Sequence, residues 1–167
     1  SRGDDIVVYD LAAEVDPRCR GFSGAFFDGR YLYYIPLNNG QFHGCITRCD
    51  TEAAFADPAS WSVFDLAAVD AGCRGFVNGA FDGRYLYLAP YCNGEHHGLV
   101  TRYDTRAEFA DPASWSVFDS GHVHTDSKGF IGAIYDDRHV YFAPYQLNFG
   151  QHHGRVTRCD TRGEFAD

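Results

Sequence analysis

Histidines recur beside a glycine at three places in the chain, and they are the first residues whose type could support chemistry. His43, His97 and His153 each precede a glycine, and His96 and His152 stand directly before two of them. Imidazole can bind a metal or a ligand, or carry a proton, near neutral pH. His97 follows His43 by 54 positions and precedes His153 by 56, so the fold decides whether these rings can act together.

Cationic and amide side chains recur at the same intervals. A cation precedes each Gly-Phe pair, and asparagine stands in the polar stretch before each histidine. The candidate ligand-binding residues are His43, His97, His153, Arg20, Arg74, Lys128, Asn39, Asn93 and Asn148. For the histidines we prefer a structural role, in which each ring satisfies backbone groups and holds its loop. Direct contact with a ligand is the alternative.

No metal or other cofactor is expected. Zinc holds imidazole nitrogens at about 2.1 Å, so its ligands must converge. Strands lie about 4.7 Å apart, which leaves equivalent histidines on neighbouring units roughly 10 Å apart. The sequence contains no phosphate-binding loop, dinucleotide fingerprint or nucleophile elbow.

The third copy of the pattern departs most from the others. Residues 119–128 replace an Ala-rich stretch with one that contains two histidines, and residues 146–154 form a longer loop. An active site normally needs such asymmetry. If the chain is an enzyme, its catalytic residues are therefore predicted to be His153, His152 and His124.

The elements that must position these residues repeat as well. Residues 21–37, 75–91 and 129–145 share a Gly-Phe start, a turn containing Asp and a Tyr-rich segment. Asp-Gly is a strong signal for a tight turn between strands. Each unit is predicted to contain four short antiparallel strands: a Gly- and Ala-rich strand, one apolar on both faces, one ending in Arg-x-Asp, and one of the type WSVFD. The 16% aromatic content favours β structure too.

A connector precedes each fourth strand. Asp57 before Pro58 is predicted to cap a helical turn, and Phe55 and Trp61 are predicted to anchor the connector to the sheet. The repeated arginines of the third strands are predicted to make local salt bridges or hydrogen bonds. They are Arg48, Arg102 and Arg158.

Four antiparallel strands in about 50 residues, apolar on both faces, describe a propeller blade. At this point the chain resembles the repeat β-propeller families, in the broad manner of kelch-like and NHL-like arrays. It lacks the Gly-His and Trp-Asp signature of one propeller class and the paired glycines of kelch repeats. The resemblance implies an all-β fold with three four-stranded antiparallel blades in a single repeat domain, 1–167. The blade units are 21–65, 75–119 and 129–167.

The units are permuted, because residues 6–11 match a fourth strand that has no first three strands before it. We expect this N-terminal strand to complete the last blade. Propellers have about four to eight blades, so three are too few to close a ring. The preferred assembly is a homodimer that closes to six blades. A fragment of a longer array or an open assembly is the alternative. The sequence contains no Met, so we expect Ser1 to follow processing or to lie within a longer chain.

Composition limits the partners. The net charge of −9 argues against a general nucleic-acid or acidic-membrane binder. No apolar run approaches the roughly 20 residues that a membrane helix needs. The six cysteines lack metal or haem spacing, and we expect mostly free thiols. Nothing in the sequence indicates a compartment.

These observations favour a non-enzymatic binding or assembly module with repeated surface sites. Near-identical units suit multivalent contact with a glycan or a small anionic ligand, and they suit self-association equally. The alternative is a polysaccharide-active enzyme, of the lyase or hydrolase type, that uses a His/Arg-rich face. The near identity of the units makes the non-enzymatic function the preferred interpretation.

Overall fold

The computed structural model describes residues 6–165, which form antiparallel sheets that follow the sequence repeat. We call the three copies the first, second and third units. The first sheet contains β1 (Phe22–Phe27), β2 (Tyr31–Pro36), β3 (Cys45–Asp50) and β4 (Trp61–Asp65), side by side in chain order. The second contains β5 (Phe76–Phe81), β6 (Tyr85–Pro90), β7 (Leu99–Asp104) and β8 (Trp115–Asp119) in the same order. The predicted all-β class and the antiparallel four-stranded sheets are confirmed.

The third unit has a three-stranded sheet and a separate hairpin. The sheet contains β9 (Phe130–Tyr135), β10 (His139–Pro144) and, after the hairpin, β13 (Thr157–Asp160). The hairpin, β11 (Gln146–Asn148) with β12 (Gln151–His152), occupies the longer loop, where the sequence indicated no strands. Within the described residues no strand pairs with the outer edge of β13.

In each unit the same kind of turn joins the first two strands. The carboxylate of Asp28 accepts hydrogen bonds from the backbone N–H of Arg30 and Tyr31, at 2.9 and 2.7 Å. Gly29 has φ of 105°, which explains the glycine that follows the aspartate. In the third unit Asp137 holds this position with φ of 74°, a strained conformation for a residue with a side chain.

The connectors match their sequence signals. Asp57 accepts from the N–H of Ala59 at 2.9 Å and caps the 3₁₀ turn Pro58–Ser60. The indole N–H of Trp61 donates to the carbonyl of Phe55 at 3.0 Å. These contacts confirm the predicted cap and anchor.

The core lies between neighbouring sheets. Between the first and second units, the fully buried rings of Tyr33, Tyr103 and Phe109 pack with Trp115. A second cluster fills the space between the second and third units. The first strands lie next to one another, since β5 contacts both β1 and β9. The sheets therefore pack face to face, with the Gly- and Ala-rich strands along one line.

The repeated arginines pack between aromatic rings. The guanidinium carbon of Arg48 lies 4.1 Å from the ring centroid of Tyr31 and 4.4 Å from that of Phe109 in the next unit. Arg48 also donates a long hydrogen bond, 3.5 Å, to the hydroxyl of Tyr103. Arg102 repeats the stacking one unit later. The prediction of a local salt bridge or hydrogen bond is therefore wrong for Arg48, whose contacts reach the next unit. Stacking is the repeated contact, and a planar cation fits well between two rings.

The N-terminal segment differs from its prediction as a strand over 6–11. Residues 6–10 pair with no strand among residues 6–165, and the helix α1 (Leu11–Glu14) follows, capped by Asp10. A strand requires a hydrogen-bonded neighbour, and the described part of the chain places none beside this segment. The ring of Tyr9 nevertheless lies 6.1 Å from Trp61 and from Phe55.

All six cysteines are free thiols. The Sγ of Cys19 lies 3.2 Å from Oγ1 of Thr47, and Cys73 repeats this contact with Thr101 at 3.3 Å. In the described part of the chain no helix combines the length and apolarity needed to span a membrane.

Candidate functional site

The histidine shortly before the third strand of each main sheet bonds backbone groups through both ring nitrogens. Nε2 of His97 lies 2.8 Å from the carbonyl oxygen of Arg74. A carbonyl only accepts, so Nε2 carries the proton, and Nδ1 accepts from the N–H of Leu99 at 3.3 Å. Burial lowers the pKa of His97 to about 4. The ring is therefore neutral near pH 7 and fixed in one tautomer.

The other two histidines repeat this geometry. Nε2 of His153 lies 2.9 Å from the carbonyl of Lys128, and its Nδ1 accepts from the N–H two residues later. Nε2 of His43 lies 3.4 Å from the carbonyl of Gly21, and its Nδ1 accepts from Cys45. Burial lowers the pKa of His43 as well. In all three units the ring ties the loop after the second strand to the backbone that leads into the first.

The backbone of these histidines also joins neighbouring units. The carbonyl of His43 accepts from the N–H of Gly75 at 3.0 Å, and that of His97 accepts from Gly129 at 3.1 Å. One residue thus holds its own loop through its side chain and the next unit through its main chain. The side-chain contact is the one that requires an imidazole, with a donor at Nε2 and an acceptor at Nδ1.

The candidate asparagines hold local structure too. Nδ2 of Asn39 donates to the carbonyl of Arg18 at 3.2 Å, and Nδ2 of Asn93 donates to that of Gly72 at 2.8 Å. Asn148 instead bonds the side chain of Gln151 within the hairpin. Asn39 and Asn93 therefore join the loop after the second strand to the backbone that precedes the first strand, as the histidines do.

The candidate cations meet the histidines through main-chain atoms. The carbonyls of Arg74 and Lys128 accept hydrogen bonds from the histidine rings, and both residues are half-buried. Nε of Arg74 is buried without a hydrogen-bond partner among described atoms. Arg20 is exposed and lies with Asn39 in the wall of a shallow hollow of about 390 Å³. This hollow, whose wall also contains Arg18 and Gln41, is where predicted ligand residues share open space. Contact of any of these residues with a ligand stays a prediction.

The extra histidines of the third unit have separate local partners. Nδ1 of His124 accepts from the N–H of Asp126 at 3.1 Å. Nε2 of His152 lies 3.3 Å from the amide nitrogen of Gln146. In the described residues no group of three or more His, Cys, Asp or Glu side chains could hold a metal ion. A catalytic role for His124, His152 and His153 stays a prediction.

A polar network beside the hairpin has no counterpart in our sequence analysis. The hydroxyl of Tyr91 donates to Oε1 of Gln146 at 3.0 Å. The buried ring of His96 lies 5.0 Å from Tyr91 and 4.8 Å from the exposed ring of Phe149, and its Nε2 has no hydrogen-bond partner among described atoms. The sequence placed His96 next to His97 but contained no signal that its ring faces the third unit.

The chain matches no protein-family model and no curated protein. The candidate site therefore rests on the geometry described above.

Proposed function

We propose that the chain is a non-enzymatic β-propeller assembly module, in which each unit is one blade and the chain associates with itself. The observation that carries the proposal is the repeated junction between units. The same histidine carbonyl, stacked arginine and aromatic cluster join the first unit to the second and the second to the third. A junction that repeats along a chain can continue onto another copy with the same chemistry.

The surfaces at the two ends of the series support association. Val156 of the third unit and Val7 and Val8 of the N-terminal segment are 65%, 64% and 88% exposed. Contiguous exposed apolar residues mark interaction surfaces in soluble proteins. Among the described residues the outer edge of β13, beside Val156, pairs with no strand, and such edges pair readily with another strand.

Binding of a ligand is the second part of the proposal. The hollow beside Arg20 and Asn39 offers cationic and amide groups in open space, which suits an anionic glycan or another small anion. The ring nitrogens of His43, His97 and His153 are occupied by backbone groups. We therefore place ligand contact at the cation and amide rather than at the histidines.

No specific observation favours the polysaccharide-active enzyme. A catalytic pair on the third unit would need two of its histidine rings facing one substrate, and the contact described for each ring is to its own local partner. The assembly function needs no such convergence.

Solution mass tests the proposal. One chain has a mass of 18.6 kDa, and light scattering after size exclusion at two concentrations measures what forms. We expect a stable species of twice the monomer mass. A monomer at both concentrations would overturn the assembly function.

A further inference from the structure

We propose that residues 6–10 of one copy add to the open edge of β13 in a second copy, as the fourth strand of its third unit. This inference rests on the proposed assembly function and specifies the partner, the strand register and the contacts. Two such junctions join two copies into a ring of six units.

The N-terminal segment already occupies the position of a preceding unit's fourth strand. In the second unit, the ring of Trp115 stacks on Phe64, which belongs to the fourth strand of the unit before it, at 5.5 Å with 22° between the planes. In the first unit, Trp61 stacks on Tyr9 at 6.1 Å and 24°. Asp10 caps the following helical turn, as the last residue of β4 does. The segment is therefore placed as a fourth strand, and the described residues contain no other strand of that unit.

A glycine of the third unit lies in open space, whereas its equivalents in the first two units lie against the backbone of the next unit. A Cβ at Gly98 would lie 2.5 Å from the carbonyl of Ser127 in the next unit, and a Cβ at Gly44 would collide with the carbonyl of Cys73. A Cβ at Gly154, the equivalent position in the third unit, would meet nothing within 4 Å. Docking of a second copy would bring the carbonyl of its Cys19 against Gly154 and give the glycine the same role.

The stacking of an arginine on a phenylalanine of the next unit has one partner at each end of the series: Phe55 at the first unit and Arg158 at the third. Phe109 and Phe165, which cover the arginines of the preceding units, are 2% and 8% exposed. The equivalent Phe55 is 42% exposed, and Arg158, the equivalent arginine of the third unit, is exposed as well. Docking would stack Arg158 of one copy on Phe55 of the other.

A cavity marks the position of the first residue of the incoming strand. Trp115 packs against Phe64, Tyr103 and Phe109 in the second unit. The equivalent residues of the third unit line a cavity of about 170 Å³ with no side chain at its centre. They are Phe118, Cys159 and Phe165. The repeat places Ile6 of the second copy at this position.

The register follows from the first two units. Cys49 pairs with Trp61 and Cys45 with Asp65 in the first sheet. The equivalent pairs across the new junction are Cys159 with Ile6 and Arg155 with Asp10. Cys45 and Leu99 hold the position of Arg155 in the other two units. Arg155 lies 3.3 Å from the carboxylate of Asp126 in the single chain, and Asp10 of a second copy would bring a second carboxylate to it. Charge complementarity therefore favours the strand of a second copy as the occupant.

A disulfide tests this register directly. Paired residues of antiparallel strands have Cα atoms about 4.5–5.5 Å apart, within the range that a disulfide spans. Ile6→Cys should therefore form a covalent dimer with the native Cys159 under mild oxidation, visible as doubled mass on a non-reducing gel. Adding Cys159→Ser should abolish it. The matched control is Val7→Cys, which faces Arg158 and should give no crosslink to Cys159.

A second variant measures docking without new thiols. Gly154→Val adds its side chain in open space of the single chain, so its thermal unfolding as a monomer should be unchanged. In the dimer the side chain would collide with the incoming backbone, and we expect the association constant to fall at least tenfold. Ala107→Val, on an exposed connector of the second unit, is the control and should associate normally.

The outcomes separate the two proposals. A dimer that Gly154→Val weakens and that Ile6→Cys crosslinks supports the strand exchange. A dimer insensitive to Gly154→Val, without the Cys159 crosslink, overturns the exchange and leaves the assembly function intact. A monomer at all concentrations overturns both proposals. A mass that keeps growing with concentration overturns the two-copy ring.

Discussion

Nε2 of His97 and the carbonyl oxygen of Arg74 lie 2.8 Å apart. Both residues were predicted to bind a ligand through their side chains, but Arg74 contacts His97 through its main chain. The contact closes the second unit by tying the start of its third strand to the approach of its first. The same arrangement recurs at His153 and Lys128. The histidines are thus structural parts of the junctions on which the assembly proposal depends.

Removal of the His97 ring should destabilise the fold. His97→Ala leaves the carbonyl of Arg74 and the N–H of Leu99 without their partners, and unpaired buried groups cost about 1–3 kcal/mol each. We expect the free energy of unfolding in urea to fall by about 2–4 kcal/mol. His122→Ala is the control, since that side chain is 82% exposed, and its change should stay within about 0.5 kcal/mol. Equal small effects would contradict the structural role.

The free energy of unfolding should decrease as the pH is lowered, because His97 becomes protonated more readily in the unfolded chain. Burial, the main cause, lowers its pKa to about 4, although the nearby Asp119 opposes the shift. An unfolded histidine titrates near 6.5. Between these values the unfolded chain binds more protons than the folded one, so stability is fully present above about pH 6.5 and is lost as the pH falls towards 4. We expect a loss of about 2 kcal/mol from pH 7 to pH 5.

The control for that prediction is His97→Gln, which cannot titrate. Its free energy of unfolding should be lower at pH 7 but should change less between pH 7 and pH 5. Parallel pH profiles for both proteins would show that other groups cause the acid sensitivity.

The repeat allowed the strands to be predicted from the sequence, because two or three copies of each pattern made the turn residues recognisable. Asp28 with Gly29 fixed the position of the first hairpin, and Asp57 with Pro58 fixed the connector cap. The hairpin over 146–152 was not predicted, because it occurs in one copy and its polar residues are typical of loops.

The sequence predicted which strand a side chain belongs to better than it predicted which residues that side chain contacts. Arg48 follows Thr47 and precedes a carboxylate in sequence, which suggested a salt bridge, yet it extends across the sheet to Phe109 of the next unit. Contacts between units depend on how two sheets face each other. A single strand's pattern does not specify that geometry.

The stacked arginines should contribute to stability through their planar shape. Arg48→Lys keeps the charge but loses contact with both Tyr31 and Phe109, and stacked cations of this kind contribute about 0.5–2 kcal/mol. We expect a loss of about 1 kcal/mol in urea unfolding of the monomer. Arg158→Lys should have no measurable effect there. If both variants lose the same stability, the stacking does not account for it.

Arg20 should matter for anions and not for the fold. The residue is exposed beside the hollow of about 390 Å³, and charge-assisted hydrogen bonds contribute about 1.5–3 kcal/mol. Arg20→Ala should therefore weaken binding of a sulfated oligosaccharide by about tenfold or more in calorimetric titration, with unfolding unchanged. Arg106→Ala, on an exposed connector, is the charge-matched control. Equal losses in both variants would indicate nonspecific attraction.

A larger side chain at position 6 should strengthen assembly. The first two units place Trp61 and Trp115 where the proposed junction has Ile6. The cavity of about 170 Å³ lined by Phe118 and Phe165 is the space that the proposed junction gives to Ile6. Ile6→Trp would bury more apolar surface, at about 25 cal/mol per Å², so the dissociation constant should fall by roughly tenfold, or about 1.4 kcal/mol. Sedimentation equilibrium over a dilution series measures this dissociation constant.

The control is Val7→Trp, one residue away and on the other face of the strand, which should not tighten the dimer. Weaker association of the Ile6→Trp protein would mean that this cavity does not receive residue 6.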